Sequence, residues 1–238
     1  MTTHETHGSR RPDAATPTTR PNTTRWPLLL TALGFVLLYL STDFVAPNLA
    51  SSALPLPNAP VEEAQAWFAE NQVAAVMIGV TQALSVACLA GFVALLGRTA
   101  ASAGQAGPAN RARGWGYAAV ALMLLASVLA WLLAALAPTA SVDTVSVLRT
   151  ANFVAGGTAH VFALGVFVLL ASRMPGFGKP VRVLAYVAAV PALLSVVSLV
   201  WFQGAAFILL GRLLCMVWAV SAAVSIIRRL SRRTRTEH

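Results

Sequence analysis

Charge is scarce in this chain of 238 residues: Asp, Glu, Lys and Arg make up 11% of it, and Lys179 is the single lysine. A soluble domain carries about a quarter charged residues, so a water-soluble fold is excluded. Cysteine is scarcer still. Cys88 and Cys215 both fall inside apolar runs, and neither a disulfide framework nor a zinc site can be read from them. Period-two alternation is missing from those runs, which excludes a β-barrel, whose strands alternate lipid-facing and lumen-facing side chains. There is no H-E-x-x-H, C-x-x-C, G-x-S-x-G or Walker loop, and Gly176-Phe177-Gly178-Lys179 lacks the spacing of a phosphate cradle. Paired acids at membrane depth, the mark of a proton-coupled pump, are absent too. No catalytic residue, cofactor or metal is expected.

Apolar residues fill the space that charge leaves. They make up 57% of the chain, and the mean hydropathy is +0.71. Six runs approach the roughly 20 residues that a helix needs to cross hydrocarbon, and a helix satisfies its backbone groups internally. The fold class expected is therefore all-α, a polytopic transmembrane bundle of six spans, at about 26–46, 74–97, 115–137, 145–171, 181–200 and 205–227.

The formal charge of +9 would suit nucleic acid if it formed a patch, but it flanks the apolar spans instead, so lipid is the expected partner. Arg10, Arg11, Arg20 and Arg25 precede the first span. Arg98, Arg111 and Arg113 fall in the second loop, Arg173, Lys179 and Arg182 in the fourth, and Arg228, Arg229, Arg232, Arg233 and Arg235 after the last span. The other loops hold none, so 15 of the 17 basic residues lie on one side. The positive-inside rule makes that side cytoplasmic, with both termini inside. Asp43, Glu62, Glu63, Glu70 and Asp143 gather on the other face. A second reading of the first run exists: arginines before it and Ser51-Ser52-Ala53 after it also suit a signal peptide, though the run is long for one.

Residues 1–25, rich in Thr, Pro, Arg and His, read as a disordered cytoplasmic basic tail, and residues 228–238 as a second basic tail. His4 and His7 lack the further ligands a metal needs. In the first outer loop, Val61, Ala64 and Phe68 recur at helical spacing behind the acids Glu62 and Glu63. That predicts an interfacial helix over 61–70, with Trp67 and Phe68 at headgroup level. Small residues recur every fourth position in the second span (Gly79, Ala83, Ala87, Gly91), the fourth (Ala151, Ala155, Ala159, Ala163) and the sixth (Gly211, Cys215, Ala219, Ala223). Such faces are expected to turn into the bundle. Pro191 is expected to kink the fifth span.

Arg149 and Arg212 break the loop pattern, since each lies inside an apolar run. A guanidinium at the bilayer centre costs about 2.5 to 3.5 kcal/mol on insertion scales, so something should compensate. At 1.5 Å per residue they lie about 6 and 10 Å below the outer boundary. Asp43 and Gln82 enter the same layer. A cluster of Asp43, Gln82, Arg149 and Arg212 is one expectation: structural if Asp43 neutralises an arginine while the other snorkels, and anion-binding if the surplus positive charge holds a phosphate or carboxylate. His160 follows Arg149 by 11 residues, which returns it to nearly the same helix face, with Asn152, Gly156 and Gly157 between. A hydrogen-bonded packing histidine is expected there, since no second intramembrane histidine exists for a haem.

Three stretches resemble a loose group of small six-span bacterial membrane proteins of unknown function. They are the Pro57-to-Gln72 stretch with its Glu-Glu and Trp-Phe, the Arg-Thr-Ala-Asn-Phe and Gly-Gly-Thr-Ala-His segments between Arg149 and His160, and the basic fourth loop. The resemblance implies the topology and no activity. Together these readings lead to a non-enzymatic accessory or scaffold component whose partners are the bilayer and other membrane proteins. The alternative is a binder or carrier of a small anionic or lipid-like ligand, an anionic lipid included.

Overall fold

A helix that must cross hydrocarbon cannot leave backbone groups unpaired, and helices account for nearly all of the computed structural model, which describes residues 25–101, 104, 106–174 and 176–236. The expected tail over residues 1–24 lies outside the described residues, as do residues 237–238. No strand occurs among the described residues. Helix α1 is Arg25–Leu49, α2 is Val61–Glu70, α3 is Gln72–Ala101 and α4 is Ala106–Leu136. The fourth span is composite: α5 (Val142–Phe153) passes through a π-helical turn, Val154–Ala159, into α6 (His160–Ala171). Helix α7 is Lys179–Leu194, and α8 is Ala205–Thr236. Two 3-10 turns, Ser195–Leu199 and Phe202–Gly204, join them.

Six of these stretches, from 21 to 30 residues long, are apolar enough to cross a membrane. The helices run past the apolar runs expected from the sequence. Arg111 and Arg113 are helical in α4, and Arg228 and Arg229 are helical in α8, because a helix that leaves the hydrocarbon keeps its own backbone bonds.

The spans form a closed ring. Helix α1 lies between α3 and α8, α4 packs on α3 and on the composite span, and α6 touches both α7 and α8. Lipid is as apolar as leucine, so close packing rather than water exclusion holds such helices together. That requirement is plainest at Ala192, which is fully buried in α7. A Cβ on Gly165 of α6 would stand 2.6 Å from the Ala192 Cβ, and one on Gly211 of α8 would stand 2.6 Å from its backbone. Glycine at both positions lets three helices meet at one residue.

In the half of the bundle where the arginines gather, the core is aromatic. Trp218 has no exposed surface, and its ring lies 6.5 Å from Phe92, 6.0 Å from Phe167 and 6.0 Å from Phe177, edge-on to the first two. Edge-to-face pairs of this kind each add roughly 0.5 to 1.5 kcal/mol beyond the area they bury. Facing outwards are Leu30, Leu37, Leu84, Val187, Val190 and Leu209, all half exposed or more, as a lipid-facing surface would be.

The rows of small residues do not behave alike. In α8 the row is buried throughout, at Cys215, Ala219 and Ala223 as well as at Gly211. In α3 it serves no single interface. Gly79 gives room to the Trp131 indole of α4, Gly91 gives room to Thr31 of α1, and Ala87 between them is exposed. Helix α3 has a neighbour on each side, and a four-residue row drifts around the helix from one to the other. Trp67, expected at headgroup level, is 3% exposed. It turns inwards onto Ala74, Ala75, Ile78 and Ala134, and its indole donates to the Ser52 carbonyl at 3.0 Å.

A buried arginine and an outer pocket

The π-turn is the feature that shapes this site. Its wider backbone ring disturbs the regular i to i−4 ladder, and glycines 156 and 157 tolerate the change. Gly156 also lets the span approach α4, since a Cβ there would stand 2.7 Å from the Ala126 Cβ. The turn lies in the middle of a 30-residue span.

Arg212 of α8 reaches it. The side chain is 8% exposed, and it donates through one terminal nitrogen to the Gly156 carbonyl and through the other to the Tyr39 hydroxyl of α1. The guanidinium carbon also lies over the Tyr39 ring, 4.7 Å from its centroid, close enough for a cation–π attraction. Its Nε is buried without a partner. A carbonyl, a hydroxyl and a ring face therefore solvate the cation in place of a carboxylate, and three spans converge on it.

Asp43 does not neutralise either arginine, for no ion pair forms among the described residues. Asp43 and Gln82 do come together. With Tyr39, Thr42, Ile78 and Trp67 they line a pocket of about 370 Å³ between α1, α3 and the loop between α1 and α2. Tyr39 and Asp43 lie one turn apart on α1, so the tyrosine is a wall of the pocket as well as the acceptor for Arg212. Thr42 meets Thr81 of α3 at 3.0 Å beside it.

Arg149 stands elsewhere. It donates to the Leu56 carbonyl at 2.7 Å and to the Ala59 carbonyl at 2.9 Å, both in the loop between α1 and α2. It is a latch on that loop. Gln65 of α2 adds two more bonds, to the carbonyls of Ala137 and Ala140 at 2.9 and 3.0 Å. The Asn71 amide oxygen accepts from the Ser51 backbone N–H at 2.7 Å.

Asn152 donates to the Ala126 carbonyl of α4 at 2.7 Å. His160 is fully buried, and its Nδ1–H donates to the Ala119 carbonyl at 2.8 Å. A carbonyl can only accept, so the proton sits on Nδ1, and Nε2 is left buried without a partner. The π-turn Val154–Ala159 lies between Arg149 and His160, so a rotation of 100° per residue does not hold along that stretch. The π-turn between them advances the chain less per residue and resets the register.

Sequence reasoning missed Tyr39, the π-turn and a hydroxyl cluster in which Thr158 meets Ser198 at 2.8 Å while Ser195 donates to the Thr158 carbonyl at 3.2 Å. The glycine pair was the visible sign of the turn. Tyr39 carried a weaker one, its place one turn from Asp43. Among the described residues no three His, Cys, Asp or Glu side chains gather where they could hold a metal. No family model, curated protein or solved structure matches the chain.

Proposed function

We propose that this multi-pass membrane protein is a non-enzymatic accessory or scaffold component of a bacterial cell membrane, with both termini in the cytoplasm and with partners in the membrane. It belongs on this reading with the six-span bacterial proteins that its segments resemble. One observation carries the reading: three polar side chains inside the bundle each donate to a main-chain carbonyl of another span. Arg212 takes the Gly156 carbonyl, His160 that of Ala119 and Asn152 that of Ala126. Groups placed for chemistry converge on a space where a reacting atom can sit, whereas these fasten one span to the next.

The test is Arg212→Gln in detergent, followed by thermal unfolding and native mass spectrometry. The expected variant is folded, unfolds at lower temperature and shows the same bound species as the parent. A small molecule carried by the parent and lost by Arg212→Gln overturns the reading.

The outer pocket favours a second reading, a binder of a small ligand. The two arginines hold separate partners, so the polar residues offered to a ligand there are Asp43 and Gln82. Asp43→Asn losing a co-purified compound that Arg212→Gln retains is the result that selects this second reading.

A further inference from the structure

Helix α8 turns two rows of side chains towards the start of α7. One row is Val220, Val224 and Arg228, and the other is Ser221, Ser225 and Arg229. Steps of four keep each row on one face of the helix. Both rows line a groove of about 730 Å³, closed on the far side by Gly176, Gly178 and Val181. Gly176 has a φ of +115°, and the Arg229 guanidinium lies where a Cβ on that glycine would stand. Arg229 thus lies against the backbone at Gly176, at one edge of the groove.

Among the described residues the charge at this end is of one sign. The described carboxylates, Asp43, Glu62, Glu63, Glu70 and Asp143, all belong to the opposite end, so no described acid neutralises Arg228 or Arg229, both of which are exposed. Valines therefore floor the groove within the apolar part of α8, and arginines rim it one turn further on. A free anion would use the rim alone. A phospholipid uses both, with an acyl chain along the valines and its phosphate on the guanidinium groups, which bind phosphate oxygens in a fork.

We propose that the groove between α7 and α8 is a binding site for an anionic phospholipid from the leaflet at the basic end. The site rests on the membrane reading above and on nothing about the buried arginine, so Arg212→Gln leaves it intact. The probe is a nanodisc of mixed phosphatidylglycerol and phosphatidylcholine, with lipids that stay bound counted by native mass spectrometry of the full chain. Phosphatidylglycerol is expected to be retained over phosphatidylcholine by the parent, and equally by Arg98→Gln/Arg111→Gln, which removes two charges at the same end outside the groove. Arg228→Gln/Arg229→Gln is expected to weaken retention about tenfold or more. Val224→Trp, which fills the floor and keeps the charge, is expected to weaken it as well. All variants are compared as monodisperse, helical preparations. Equal losses in the two double variants overturn the site in favour of diffuse charge. So does full retention by Arg228→Gln/Arg229→Gln. Displacement of the lipid by inorganic phosphate with no effect of Val224→Trp overturns it in favour of a free-anion site.

Discussion

At the acidic end of the bundle Arg149 and Arg212 donate to main-chain carbonyls and a tyrosine hydroxyl, while at the basic end Arg228 and Arg229 rim an open groove with no described acid nearby. The cores behind them differ in the same sense. Behind the first pair, side chains such as Asn152, Thr158 and Ser195 bond one helix to another. Behind the second, Trp218 and three phenylalanines pack without such bonds. One side chain type thus does two jobs. Where the chain supplies acceptors, arginine joins helices. Where it supplies none, arginine is left for the surroundings.

Three substitutions sharpen the contrast. The largest effect is expected from Trp218→Ala, which empties the aromatic core and should cost about 3 to 5 kcal/mol, measured by reversible unfolding in a detergent or bicelle. A loss as small as that of a surface change would mean that aromatic packing does not hold the basic half together. Next comes Tyr39→Phe. It keeps the ring beneath Arg212 and removes only the hydroxyl acceptor, so a buried N–H loses its partner at a cost of about 1 to 3 kcal/mol. An unchanged stability would show that the cation does not depend on that bond. The smallest global effect belongs to Arg149→Gln, about 1 kcal/mol or less, since its bonds are half exposed. Its local effect should be clear, as faster amide exchange over residues 52–60 with the core unchanged. Uniform exchange changes across the bundle would break the latch assignment.

How much of this was legible depends on how far each signal reaches along the chain. Six spans could be read because hydropathy averages over some 20 neighbouring residues, and no later fold can make a run such as that of α4 polar. Partners could not be read in the same way. Arg149 and Arg212 were both recognisable as anomalies. Their acceptors lie far off in sequence, in the loop between α1 and α2 for one and in α1 and the π-turn for the other, and helix depth alone pointed to Asp43. Depth is one coordinate, and pairing needs the rotation of each helix about its axis as well. For His160 that rotation was reckoned on a regular helix through Val154–Ala159, where the backbone is π-helical. The row in α3 misled for a related reason, because Gly79 and Gly91 face different neighbours.

That irregular turn has a consequence for how the fourth span transmits change. A regular helix is a rigid rod on which a twist at one end appears at the other. Here the rod is spliced at its centre, and the splice is clamped by Arg212 from α8 and by close contact with Ala126. One piece, α5, can keep its grip on the loop between α1 and α2 through Arg149 while the other, α6, keeps Phe167 seated against Trp218. Two surfaces with unrelated angular requirements are thereby served by one continuous strand of backbone.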